Sequence, residues 1–329
     1  MSAELAKLHF LRDLPPPGNP QLWETSDGKL VAWNEYGDPA GRPMIYHHGW
    51  PSCRLQARIL HHLARERGMR VLALDRPGMG HSTYQPGFTL QSWPAIVAAF
   101  ADAQGIGKFA QLGVSGGGPY VLACAARLSD RVTASAVLCG AAPLWNAELS
   151  GLHPAYRIII PLLNLPKSWF SPLLRLAARH SSDSPKRPPV SWILHMLPEP
   201  DRRIMIECPQ VHRIFAESFN EGVRQGGRRV MENGEIYLHD WDIPLEEIRH
   251  PIRYWHGGQD RHISAGMTER FVSRVAGAEL TIDPEEGHFS LAIHRAADAM
   301  DHLAAQTLPV ATAVRRIMES FNPDNTTLS

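Results

Sequence analysis

The chain has 329 residues, of which 44% are hydrophobic and 20% charged, the composition of a globular protein with room for one large α/β domain and an insertion. Lys plus Arg and Asp plus Glu both number 33, so the formal net charge is zero. That balance argues against nucleic acid or an anionic membrane as partner, and it permits a homodimer without requiring one.

Met1 to Leu5 show no basic stretch leading into an apolar run, so no secretory signal is expected. The longest apolar stretch, 158–165, is broken by Pro161 and Asn164 and is too short to cross a bilayer. Cys53, Cys124, Cys139 and Cys208 form no CxxC pair and no metal-finger spacing. They are expected as free thiols, and the protein as cytoplasmic.

In chain order, strands are predicted at 31–36, 44–47, 71–74, 110–114 and 134–138, with helices at 54–67, 90–104 and 118–128. The last three strands are nearly continuous apolar runs, as expected where both faces are buried. From 144 to 239 the texture changes: prolines recur, amphipathic helical fragments lie between them, and no strand pattern appears. A structureless loop of that length is not expected in a compact domain, so this stretch reads as a helical cap. Strand 252–255, helix 267–275, strand 279–282 and helix 291–305 then resume the alternation. The expected architecture is an α/β fold with a mostly parallel central sheet flanked by helices. Its core is residues 1–143 and 240–329, and its helical cap insertion is 144–239.

The motif with most chemistry is Gly113-Val114-Ser115-Gly116-Gly117, a G-x-S-x-G between a strand and a helix. A serine on a sharp strand-to-helix turn presents its hydroxyl at the carboxyl edge of a sheet. The helix that follows aims free N–H groups at developing negative charge. A serine hydroxyl needs a base, and in this topology the order is serine, acid, histidine. Asp260 follows one predicted strand and His288 the next, so both fall on the edge that carries Ser115. Asp283 is too near His288 along the chain to approach it from the far side. Upstream, His47-His48-Gly49-Trp50-Pro51 follows a strand end. The N–H groups of Trp50 and Gly116 are the candidate oxyanion donors. Neighbouring strand residues face opposite ways, so the paired histidines do not read as a metal site.

Together with Asp75-Arg76-Pro77-Gly78-Met79-Gly80-His81-Ser82 and Gly287-His288, these motifs resemble the α/β-hydrolase superfamily, and in particular its capped, esterase-like members. The resemblance implies Ser115 as nucleophile, His288 as base, Asp260 as acid, and no metal or organic cofactor. Serine at the elbow sets the chain apart from haloalkane dehalogenases and epoxide hydrolases, which carry aspartate there. The expected function is hydrolysis of carboxylic esters or lactones. Carbon–carbon bond hydrolysis, acyl transfer and perhydrolysis use the same residues, and a lidded small-ligand receptor is the alternative from another class. Trp50, Trp145, Trp169, Trp192 and Phe289 are the candidate wall of a pocket for an apolar, carbonyl-containing small molecule.

Overall fold

Successive residues of a strand face opposite sides, so a sheet whose strands are apolar at every position must be covered twice. The computed structural model describes residues 8–144, 169 and 171–306. Its eight strands are β1 (Gln21–Glu24), β2 (Leu30–Gly37), β3 (Arg42–His47), β4 (Met69–Leu74), β5 (Phe109–Val114), β6 (Val132–Leu138), β7 (Ile252–Gly257) and β8 (Ala278–Asp283). They form one sheet in the order β1-β2-β4-β3-β5-β6-β7-β8. The β1–β2 and β2–β4 pairs are antiparallel and the remaining pairs parallel. Every strand expected from the sequence forms. The expectation omitted β1, a mostly exposed edge strand whose QLWE sequence has no alternation long enough to read.

The described α-helices are α1 (His61–Glu66), α2 (Trp93–Ala103), α3 (Gly118–Arg127), α4 (Ser171–Ser181), α5 (Val190–His195), α6 (Glu199–Glu207), α7 (Pro209–Gly222), α8 (Gly227–Gly234), α9 (Ala265–Val272), α10 (His288–His294) and α11 (Ala296–Gln306). On one face of the sheet, Met44, Tyr46, Val71 and Ala73 pack with Leu63 of α1, Leu291 and Ile293 of α10, and Met300 and Leu303 of α11. On the other, Ile45, Leu72 and Leu74 pack with Val97 and Phe100 of α2, Tyr120 and Val121 of α3, and Phe271 of α9.

Two predicted helices differ in detail. The stretch 54–67 begins as a 3-10 helix, Arg54–Leu60, before α1. Within it the Arg54 and Arg58 side chains are buried and turned toward carboxylates on other elements. The stretch 291–305 is two helices, because α10 starts three residues earlier, at His288 itself, and ends at His294 before α11 begins at Ala296.

Between β6 and β7 the described residues hold helices and turns and no strand. Trp145, a candidate pocket residue, lies outside the described residues. Buried ion pairs fasten this segment to the sheet domain. Arg54 bonds Asp75 at 2.7 Å and Glu221 of α7 at 2.9 Å, and Arg58 pairs with Glu217 of α7. Guanidinium groups this buried are tolerable only with such partners.

Candidate active site

Parallel pairing aligns the strand ends. His47 stands opposite Gly113, Val114 opposite Leu138, Leu138 opposite Trp255, and Gly257 opposite Asp283. The residues that follow β3, β5, β7 and β8 therefore share the carboxyl edge, where open α/β sheets bind ligands.

Ser115 leaves β5 with φ +54°, a left-handed conformation that costs a non-glycine residue about 1–2 kcal/mol. Its carbonyl accepts the N–H groups of Gly118 and Ala141 (2.9 Å for the latter). At about 1 kcal/mol each, two such bonds offset the strain. Close approach fixes the glycines: a Cβ on Gly117 would collide with the His47 carbonyl oxygen, and one on Gly116 with the Tyr237 hydroxyl.

From Ser115 a continuous line of hydrogen bonds runs inward. The Ser115 Oγ lies 2.9 Å from His288 Nε2, and His288 Nδ1 lies 2.6 Å from Asp260 Oδ2. An ionised carboxylate only accepts, so Nδ1–H donates to Asp260 and Nε2 is left to accept the serine proton. The second oxygen of Asp260 accepts the N–H groups of His262 (2.7 Å) and Ile263 (2.9 Å), which fixes the carboxylate plane. His256 stands 3.6 Å from Asp260 and donates its Nε2–H to the Ile263 carbonyl.

Electrostatics keep these two groups charged and basic. Burial works to raise the Asp260 pKa, but the charge and hydrogen bond of His288, with His256 and His262 nearby, outweigh it and hold the carboxyl at about 2. Burial likewise opposes charge on His288. The charge and hydrogen bond of Asp260, and the charge of Asp201, outweigh it and raise the imidazole above its ordinary value.

The loop after β3 supplies the facing wall. Gly49 N–H donates to Gln56 Oε1 at 2.7 Å, and the Trp50–Pro51 peptide is cis. A Cβ built on Gly116 would lie 3.0 Å from the Trp50 nitrogen, so the two candidate oxyanion donors are neighbours. Arg76 grips the loop from behind, donating to the carbonyls of His48 (2.5 Å) and Gly49 (2.8 Å) while lying 4.5 Å over the Tyr120 ring. His47 and His48 are internal supports. His47 donates to Gln111 and accepts from Trp93, and burial pushes its pKa down to about 3. His48 donates to the Gly49 carbonyl and accepts the Arg76 N–H, and burial holds it well below the usual range. With both ring nitrogens of each engaged, the pair stays neutral and structural.

The pocket candidates fare unevenly. Phe289 packs edge-on against Phe215 at 5.1 Å and His262 at 5.4 Å, beside His288. The Trp50 indole donates to the Val230 carbonyl of α8 at 2.9 Å and sits against Tyr237, docking the β6–β7 segment. Trp169 and Trp192 are 67% and 68% exposed. Asp283, the rival acid, is paired with Arg295 at 2.6 Å. Cys53, Cys124, Cys139 and Cys208 are buried free thiols.

Sequence reasoning missed three contributors. Tyr237 donates its hydroxyl to the Gly116 carbonyl at 2.7 Å. Arg76 was legible only as part of a turn. Asp201 of α6 accepts the N–H groups of His288 (3.0 Å), Phe289 (2.8 Å) and Ser290 (2.9 Å). An acidic residue in the first turn of a helix ordinarily reads as that helix's own terminal charge, so nothing local pointed to Asp201.

Comparison with known proteins agrees with this fold. Residues 42–161 match the family model described as the alpha/beta hydrolase fold. A non-heme chloroperoxidase of Streptomyces lividans is 36% identical over 123 residues, 36% of this chain and 44% of that protein. A bifunctional esterase/perhydrolase of Acinetobacter calcoaceticus is 36% identical over 123 residues, with the same coverage. The chain thus spans less than half the length of the curated relatives it matches. Among solved structures, an alpha/beta hydrolase fold protein from Nakamurella multipartita superposes with a TM-score of 0.65 at 21% identity, covering 87% of this chain and 99% of that one. Among the described residues, no helix is long and apolar enough to cross a membrane.

Proposed function

We propose that the chain is an α/β-hydrolase of the serine type, a hydrolase of carboxylic esters or lactones that works through an acyl-enzyme on Ser115; the family-model match over residues 42–161 and the fold support this reading. The observation that carries this reading is the unbroken line from Ser115 Oγ through His288 to Asp260, set on an elbow whose serine has φ +54°. His288 Nε2 takes the Ser115 proton as Oγ attacks the acyl carbon. The N–H groups of Trp50 and Gly116 stabilise the tetrahedral oxyanion. His288 then protonates the leaving alcohol, and the same imidazole activates the water that releases the acid. The helices between β6 and β7 serve as the cap over this edge, and Phe215 and Phe289 favour an apolar substrate group.

A second reading uses the same acyl-enzyme with hydrogen peroxide in place of water, giving a peracid and free serine. The esterase/perhydrolase relative favours it as an additional activity.

The test is treatment of the intact protein with a fluorophosphonate, peptide mapping by mass spectrometry, and a short-chain aryl ester assay. A single adduct on Ser115 is expected. Ser115→Ala should fold as the wild type, take no adduct and lose at least about a thousandfold in turnover. An adduct elsewhere, or activity retained in the variant, refutes the assignment.

A further inference from the structure

The base has a second carboxylate, and it comes from outside the sheet domain. Asp201 lies in the first turn of α6, a helix of the β6–β7 segment, and its side chain is fully buried. Three backbone N–H groups point at it, those of His288, Phe289 and Ser290, the opening turn of α10. Those are the donors that a helix start leaves without intrahelical partners. Ordinarily a capping side chain from the same turn would serve them. Here residue 287 is glycine, and a Cβ at that position would run into the Asp201 carboxylate. Gly287 is thus the gap through which the neighbouring helix reaches the histidine turn. Burial pushes the Asp201 carboxyl above its ordinary value, while the backbone N–H groups and the charge of His288 pull the other way and favour the carboxylate.

We propose that Asp201 is a positioning residue for His288, fixing the backbone of the base through three hydrogen bonds and adding a negative charge behind the imidazolium. The inference rests on His288 acting as the general base. Its consequence is that the base is complete only while α6 is docked on α10. The segment that covers the site thereby also completes it.

The groups that face His288 are few. His256 approaches from the end of β7, and Asp260 and His262 from the loop after it. The Cys139 thiol lies at the end of β6, where burial keeps it neutral. Glu286, one turn back, is engaged by His294 and lies within reach of Arg203. Of the carboxylates acting on His288, Asp260 is hydrogen-bonded to the ring and Asp201 acts through its charge.

The experiment compares the full-length wild type with Asp201→Asn and Asp201→Ser, both neutral and both able to cap a helix. The His288 imidazole is titrated by NMR, assigned with a His288→Gln variant, and kcat/KM for an aryl ester is followed against pH. Both variants should titrate about one pH unit lower than the wild type. The acid limb of kcat/KM should move with them, and kcat should fall more than KM changes. If the variants fold and His288 titrates where it does in the wild type, Asp201 is only a helix cap and the proposal fails. If neither variant folds, Gly287→Ala, whose Cβ would displace the Asp201 carboxylate, takes their place: an unmoved His288 titration overturns the proposal, and a lowered one supports it. The NMR titration needs no turnover, so an inactive wild type would sink the hydrolase reading while leaving the Asp201 result readable.

Discussion

Replacing Asp260 by asparagine should disable the site almost without moving an atom. Asp260 Oδ1 accepts two backbone N–H groups, from His262 at 2.7 Å and Ile263 at 2.9 Å. An asparagine oxygen will keep those bonds, since its amide nitrogen cannot accept them. The NH2 group is then forced to the Oδ2 position, 2.6 Å from His288 Nδ1. Two donors cannot face each other, so Nδ1 must become the acceptor and the ring proton moves to Nε2. In that tautomer Nε2 meets the Ser115 hydroxyl as a donor and cannot take its proton. A tautomer reversal of this kind costs about ten-thousandfold in kcat, or about 5 kcal/mol of transition-state stabilisation. The assay is steady-state hydrolysis of an aryl ester, with the melting temperature measured beside it to establish folding. A folded Asp260→Asn enzyme within tenfold of the wild-type rate would refute the reasoning and move the acid elsewhere.

Two further outcomes follow from the same geometry. His288 must be neutral to act as base and its pKa is raised, so kcat/KM should be lost as the pH falls through a midpoint above about 6.5, and a midpoint at or below that value contradicts the assignment. Arg54→Met removes the buried partner of Asp75 and Glu221; denaturant unfolding should show a loss of about 3–5 kcal/mol, and a loss under about 1 kcal/mol would mean that the pair contributes little.

The sheet and the line of polar residues at its edge were open to reading because their signals are local. β4, β5 and β6 are buried on both faces, so each spells out an apolar run of strand length without reference to any other part of the chain. Ser115 is legible because a left-handed turn in tight contact with the β3 loop requires glycines within two residues of it. Asp260 and His288 are legible because parallel strands all end on one edge, so position after a strand is itself a coordinate. The edge strand β1 escaped, since four mostly exposed residues carry no burial pattern. Trp192 looked like pocket lining because aromaticity records size and apolarity and not direction; it is 68% exposed.

Local signals name the candidate residues and the order in which they meet the sheet. Strand burial, turn glycines and the order serine, acid, histidine are all written within a few residues of each feature. What supports them comes from packing between distant elements. Arg76 behind the Gly49 loop, Tyr237 on the Gly116 carbonyl, Arg54 between Asp75 and Glu221, and Asp201 on the His288 turn each join residues far apart along the chain. The physical reason is that a hydrogen bond or ion pair leaves its mark on both partners only as ordinary polarity. An aspartate that caps its own helix and one that holds a neighbour's histidine have the same side chain, and packing alone selects the partner.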